Sequence, residues 1–333
     1  IQACLQQGGF GIAYVARDSL DRQVVVKECF PAHMCRRVNG QVVPQTKELT
    51  AQFSAIKKQF VREARQMARL THPNVLGVHQ VFEENNTAYM ALDHVVGVDL
   101  ISVSEDQPER LTNSFLLSVL EQMLEAITFI HKHGVLHRDI SPDNILVDDN
   151  GHVTLIDFGA AQEHTLNGGS NFPTIMAVKD GYSPHEFYTA HVPHDFSSDL
   201  YSMGATLYHL ITGYPPVSGQ DRLTAVSDGA PDPYLPLVRE DWGYDYNILA
   251  TVDSALALLQ ENRFQSAAAW LQALQQTPKA RPRKTAKPTF DPNLDEKIAQ
   301  IVALTNTDLT PATPLSLSSV KRRSAPSTQP AEE

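Results

Sequence analysis

A chain of 333 residues with 42% hydrophobic and 20% charged content has the make-up of a soluble globular protein with one large or two modest domains. Its formal charge of −11 is unevenly spread: residues 277–333 carry 9 Lys/Arg against 6 Asp/Glu, leaving 18 against 32 in residues 1–276. An acidic body argues against nucleic acid as a partner, because duplex affinity rests on neutralising phosphates with Lys and Arg.

Three cysteines, Cys4, Cys29 and Cys35, have no zinc-like spacing and read as reduced thiols of a cytoplasmic protein without a disulfide framework. No run of about 18 apolar residues predicts a membrane segment, and no signal peptide is visible. The chain opens at Ile1, just ahead of a glycine-rich turn, and reads as a piece of a longer protein.

Residues 1–95 read as strands with one main helix. Gly8-Gly9-Phe10-Gly11 is a turn in an apolar setting. Ile12, Tyr14 and Ala16 then alternate with smaller or polar positions, and Val24-Val25-Val26 is a buried-strand run that ends at Lys27. Asn39-Gly40, flanked by Arg37-Val38 and Gln41-Val42-Val43, predicts a hairpin. The following helix places Phe60, Ala64, Met67 and Ala68 on its apolar face, and His72-Pro73 ends it.

Residues 89–93 read as a further strand. From Thr112-Asn113 onward, Leu116, Val119, Leu120, Met123, Ile127 and Ile130 form the stripe of a long core helix ending at Gly134. Residues 277–333 alternate proline with Lys and Arg, carry one short amphipathic stretch at 295–304, and read as a mostly disordered tail.

The chemistry concentrates between His137 and Gly159, which run His137-Arg138-Asp139-Ile140-Ser141-Pro142-Asp143-Asn144, an apolar stretch, and Asp157-Phe158-Gly159. Two carboxylates and a carboxamide at this spacing suit phosphoryl transfer: Asp139 accepts a hydroxyl proton while Asn144 and Asp157 hold magnesium. Magnesium keeps most of its waters and needs only one or two protein oxygens beside nucleotide phosphates. Upstream lie the parts of a nucleotide cradle: the glycine turn, the strand lysine Lys27, and Glu63 in Phe60-Val61-Arg62-Glu63-Ala64 to hold that lysine.

In this order the motifs resemble a eukaryotic-type serine/threonine protein kinase catalytic domain. The likeness is greatest to the bacterial branch with Lys-Glu-x-Phe-Pro after the third strand, here Lys27-Glu28-Cys29-Phe30-Pro31. The resemblance covers residues 1–276 and implies an α+β, two-lobed protein-kinase-like fold. A small antiparallel-sheet N-lobe with one main helix would span 1–95, and a larger, mainly helical C-lobe 96–276.

The resemblance further implies ATP and Mg2+ as cofactors and protein substrates with Ser/Thr hydroxyls, with self-association for autophosphorylation. Asp139, Lys27, Glu63, Asn144 and Asp157 would be catalytic, the last two as metal ligands. Gly8, Gly9, Phe10, Gly11, Val25, Lys27, Asp93, Val95, Asp99 and Leu146 would bind the nucleotide, with residues 93–95 as the hinge, Leu92 as gatekeeper and Asp99 on the ribose.

The segment from Gly159 to Glu186, with Thr165, Ser170 and Thr174, would be an activation loop, and Arg138 beside Asp139 would pair with a phosphate on it. Asp199 would fasten the catalytic loop, and Arg263 would pair with Glu186.

Four positions depart from the family pattern. Gln6 stands in place of the first loop glycine, and Ala13 in place of a valine over the adenine face. Val25 replaces a small alanine, at a cost of about 1–3 kcal/mol if nothing relaxes. Ser141 replaces the lysine that meets the γ-phosphate, which removes charge where electrostatic stabilisation matters most. Two other readings stand beside a protein kinase: a catalytically weak pseudokinase scaffold, suggested by Val25 and Ser141, and a small-molecule phosphotransferase.

Overall fold

The computed structural model describes residues 1–9, 11–157, 162–163, 178–189 and 192–276. The expected tail at 277–333 lies outside the described residues.

The alternating and β-branched runs of the first hundred residues form β1 (Ala3–Gln7), β2 (Gly11–Arg17) and β3 (Gln23–Cys29), followed by a small hairpin of β4 (Cys35–Val38) and β5 (Gln41–Pro44). After helix α1 (Thr50–Met67) come β6 (Val78–Glu84) and β7 (Thr87–Asp93). The main sheet is antiparallel in the order β1-β2-β3-β7-β6. The predicted Asn39-Gly40 turn joins β4 to β5 with φ of 49° and 81°, the left-handed pair a tight hairpin demands.

Helix α1 buries Phe53, Val61, Glu63, Ala64 and Met67. Phe60 is half-buried and Ala68 is exposed. The helix stops at Met67, before His72-Pro73, where the pattern tightens: the Arg69 and Leu70 N–H groups donate to the Gln66 and Met67 carbonyls, three residues back, at 3.1 and 2.8 Å.

The rest is mainly helical. Short strand β8 (Val98–Asp99) leads into α2 (Leu100–Asp106), and α3 (Asn113–Lys132) starts at the Thr112 cap, whose hydroxyl accepts from the Phe115 N–H at 3.2 Å. Then follow β9 (Val135–Leu136), β10 (Ile145–Val147), β11 (Val153–Leu155), β12 (Gln162–Glu163), α4 (Phe196–Thr212), α5 (Gly219–Ser227), α6 (Tyr246–Ala255) and α7 (Ala267–Gln275). Helix α3 is long and apolar enough to cross a membrane by composition, but here its stripe from Leu116 to Ile130 is buried against α4, α7 and β11 in one continuous core. The outcome is the two-lobed α+β architecture: a small antiparallel sheet with one main helix, then a larger helical lobe.

The lobes are stitched where the site lies. Leu155 of β11 exchanges backbone hydrogen bonds with residues 74 and 76, its N–H to the Asn74 carbonyl at 2.9 Å and its carbonyl from the Leu76 N–H at 3.0 Å. The Asn74 amide also donates to the Val153 carbonyl at 2.7 Å. The strand preceding Asp157 is thereby held against both halves of the molecule.

Candidate active site

Three of the expected residues converge through the hairpin of β10 and β11, in which Ile145 faces Leu155. The Ile156 N–H donates to the Asn144 carbonyl at 2.9 Å, which sets Asp157 beside Asn144. The Asn144 amide donates in turn to the Asp139 backbone carbonyl at 2.8 Å and to its carboxylate at 2.9 Å. With its nitrogen committed to Asp139, Asn144 has its carbonyl oxygen to offer a cation, and Asp157 adds a carboxylate. An all-oxygen pair of this kind fits magnesium, which takes hard oxygen ligands and few of them from protein.

Burial raises Asp139 to about 6, partly offset by the charge of Lys179 and reinforced by Asp157. That range suits a group that must take a proton near neutral pH.

The loop carrying Asp139 is fixed from below by Asp199, fully buried on α4. Its carboxylate accepts from the His137 N–H at 2.9 Å and the Arg138 N–H at 2.8 Å, and pairs with His131 at 2.8 Å. These donors outweigh the desolvation of Asp199 and hold its carboxyl below the usual range. Arg138 and Asp157 sit at φ of 66° and 55°, a region that costs a non-glycine residue strain and persists only under such restraint. Among the described residues the other positive-φ non-glycine positions are Asp21, Asn39, Asn85 and Asn86, all in hairpin turns.

Asp199 acts as the sequence predicted. So does Arg263, which donates to both oxygens of Glu186 at 2.7 and 3.1 Å inside the core.

Lys27 differs from expectation. Its ammonium bonds the Asp157 carboxylate, while Glu63 accepts from Gln59 at 2.8 Å. The expected Lys27–Glu63 ion pair is not formed. The physical reason lies in burial: Glu63 is driven up to about 7 by desolvation, against the opposing pull of Gln59, Arg62 and Lys27, whereas Asp157 is half-exposed and the easier partner for the ammonium.

The glycine turn joins β1 to β2 and is closed by the Gly8 N–H on the Gly11 carbonyl at 2.9 Å. Gly11 is required by close approach, since a Cβ there would lie 2.7 Å from the Glu28 carbonyl of β3. At Gly9 a side chain would meet nothing within 4 Å, so the outer edge of the turn is open, as a phosphate cradle requires.

Val25 lies between Val15 and Leu92 in the sheet, packed with Ala64 and Met90. Asp93 ends β7 with its carboxylate tied to the Gly77 N–H at 2.9 Å and to His79 at 2.8 Å. Among the described residues no hydrogen bond uses the Val95 backbone, which leaves an N–H and a carbonyl for the edge of a heterocycle.

Leu146 and Asp99 face each other across β10 and β8. One oxygen of Asp99 caps α2, accepting from the Ser102 N–H at 2.7 Å, so its carboxylate already has a structural duty. Phe10, Phe158, Gly159, Thr165, Ser170 and Thr174 lie outside the described residues.

Two features escaped sequence reasoning. Glu28 is buried in the small lobe and bound by Tyr14 at 2.8 Å, Arg37 at 2.7 Å and Tyr89 at 3.0 Å. Lys179 reaches the catalytic loop, donating to Ser141 at 2.9 Å and to the Asp143 carboxylate at 2.5 Å. Neither pairing has a local signature, because the partners are far apart in sequence or sit in an irregular segment.

Residues 5–232 match the protein kinase domain model. The chain is 32% identical over 216 residues to the serine/threonine-protein kinase PknB of Mycobacterium tuberculosis, covering 63% of this chain and 34% of that protein. It is 26% identical over 265 residues to a probable serine/threonine-protein kinase, CPE1738, of Clostridium perfringens, covering 79% and 36%. The chain thus spans about a third of the length of these relatives. Among solved structures it is similar to PpkA-294 in its apo form, with a TM-score of 0.71 and 36% identity over 83% of this chain and 95% of that one.

Proposed function

We infer that this chain, which belongs to the protein kinase family, transfers the γ-phosphoryl group of ATP to serine or threonine hydroxyls of proteins. The observation that carries the reading is the convergence of Asp139, Asn144 and Asp157 through the bonds from the Asn144 amide to Asp139 and from the Ile156 N–H to Asn144. Asp139 would orient the substrate hydroxyl and take its proton. The hydroxyl oxygen bonds to phosphorus as the bond to the bridging oxygen of ADP breaks, and ADP departs with that electron pair.

Asn144 and Asp157 would hold magnesium, which supplies charge neutralisation at the phosphates. Gly8 and Gly11 would bring backbone amides to those phosphates, Lys27 would leave Asp157 to meet them, and Val25, Val95 and Leu146 would enclose the base. Protein substrates and self-association for autophosphorylation belong to the same reading, as does a cytoplasmic setting in which Cys4, Cys29 and Cys35 stay reduced; all three are free thiols here.

The test is phosphate incorporation into protein Ser/Thr by the purified chain with magnesium and ATP, followed by peptide mapping. Asp139→Asn should lower turnover about a thousandfold, or about 4 kcal/mol of barrier, with Mg–ATP binding nearly kept. Asp157→Ala should abolish magnesium-dependent stabilisation by nucleotide in a thermal-shift titration. Equal loss of binding and turnover in Asp139→Asn would contradict its role.

The pseudokinase reading has one observation of its own: Lys27 is bonded to Asp157, so two nucleotide-binding groups occupy each other. It predicts nucleotide-independent partner binding and no transfer in the same assay.

A further inference from the structure

The catalytic loop has a serine where the resemblance implies a lysine, yet the structure brings an ammonium to that very residue. Lys179 lies in the backbone just before Tyr182, and its Nζ donates to Ser141 Oγ at 2.9 Å and to Asp143 at 2.5 Å. Its backbone is fixed: the N–H donates to Ser183 Oγ at 2.9 Å, and the carbonyl accepts from the Tyr182 and Ser183 N–H groups at 3.0 and 2.9 Å. The side chains of Lys179 and Asp143 are 35% and 42% exposed, so the ammonium is partly open to solvent while it reaches the loop that carries Asp139.

The neighbouring cations are placed differently. Lys27 is held by Asp157, and Arg138 is buried in the fields of Asp199 and Glu63. The charge of Lys179 also acts on Asp139 itself.

Charge accumulates on the equatorial oxygens during phosphoryl transfer, and a fixed cation there is among the largest sources of rate. We propose that Lys179 is a catalytic residue that stands in space for the absent lysine at 141, meeting the transferring phosphoryl group beside Asp139. The assignment rests on the kinase reading above. The chain segment before Tyr182 supplies the ammonium, and Ser141 steadies it.

The experiment compares Lys179→Ala, Lys179→Ala with Ser141→Lys, and Lys179→Ala with Asp143→Asn, by turnover and by affinity for Mg–ADP and a non-hydrolysable Mg–ATP analogue. Lys179→Ala is expected to lower kcat about 10²- to 10³-fold, the effect of removing one preorganised transition-state partner. It should also lose affinity for the triphosphate analogue while keeping that for ADP. Adding Ser141→Lys should restore at least about a tenth of the activity, because the ammonium returns to the same place from the other strand of the loop.

If Lys179 serves only to neutralise Asp143, the Asp143→Asn double variant regains turnover without a cation, and the proposal falls. Unchanged kcat and unchanged nucleotide preference in Lys179→Ala also overturn it. A wild-type chain that neither binds Mg–ATP nor transfers phosphate overturns the kinase reading first, a result distinct from either.

Discussion

Replacing Arg263 by methionine tests the buried pair that anchors the segment running from Lys179 to Glu186. Both side chains are fully buried. The guanidinium makes two bonds to Glu186, at 2.7 and 3.1 Å, and two to the Ala257 and Leu258 carbonyls, at 2.8 and 2.6 Å. Methionine keeps much of the apolar volume but strands Glu186 with Ser198 as its hydrogen-bond donor, at 2.8 Å. Breaking a buried pair by removing one partner costs about 3–5 kcal/mol, mainly from the uncompensated charge. At about 2–4 °C per kcal/mol for a domain of this size, Tm should fall by about 6–20 °C.

The pH dependence gives a second reading of the same variant. Arg263 holds the Glu186 carboxyl below its ordinary value of 4.5 against desolvation, so in the wild type the pair's contribution is present above pH 4.5 and is lost as pH falls through the lower folded value. Without Arg263, desolvation, the largest influence, is opposed only by His185 and hydrogen bonding and raises that carboxyl, so the variant should lose stability as pH rises, and its deficit should be larger at pH 8 than at pH 5. Adding Glu186→Gln removes the stranded charge and should recover about half of the loss. Calorimetry at the two pH values decides it. A fall of less than about 2 °C, or a double variant no better than the single one, refutes the idea that the pair acts through a buried charge.

Glu63→Gln should stabilise the protein at alkaline pH: burial raises this carboxyl from 4.5 to about 7, so its contribution is intact below pH 4.5 and is lost as pH climbs through 7. At about 1.4 kcal/mol per pKa unit the gain at pH 8 is on the order of 3 kcal/mol, vanishing near pH 4.5, and a flat difference across that range in denaturant titrations would exclude it. Asp199→Asn should lower transfer activity about 100-fold with nucleotide affinity kept, because one acceptor oxygen cannot hold both loop N–H groups; initial rates and calorimetric binding check it. Gly11→Ala sets a Cβ 2.7 Å from the Glu28 carbonyl, and should cost about 1–3 kcal/mol of stability and weaken nucleotide binding, seen as a lower Tm and a higher Kd.

Much of the site was legible because its parts are local. The Asn39-Gly40 turn, the stripe of α3 after Thr112, and the run from Asp139 to Asn144 each settle their own backbone within a few residues. Even the distant Glu186–Arg263 pair could be read, because the family resemblance implies both partners. What stayed hidden depends on competition in space. Lys27 had two carboxylates to choose from, and only the burial of Glu63 against the exposure of Asp157 decides between them. The exit of α1 at Met67 and the capping duty of Asp99 are decided by backbone groups that leave no residue-type signal at that spacing. Lys179 reads as an ordinary charge until the fold lays it on Ser141.

The distribution of buried charge explains why the catalytic loop can be rigid while the lysine opposite it remains free to change partner. Asp199, Glu186 and Arg263 are all buried in the helical lobe, and each is saturated with donors or acceptors, so moving any of them would strand a charge in the core. That lobe therefore holds the loop at His137 and Arg138, the latter with a strained positive φ, just ahead of Asp139. Across the site, Lys27 and Asp157 are 23% and 41% exposed, and an ion pair that wet contributes about 0–1 kcal/mol. Releasing Lys27 from Asp157 is then a small step energetically, and the proposed exchange of Asp157 for phosphate needs no movement of the loop that carries Asp139.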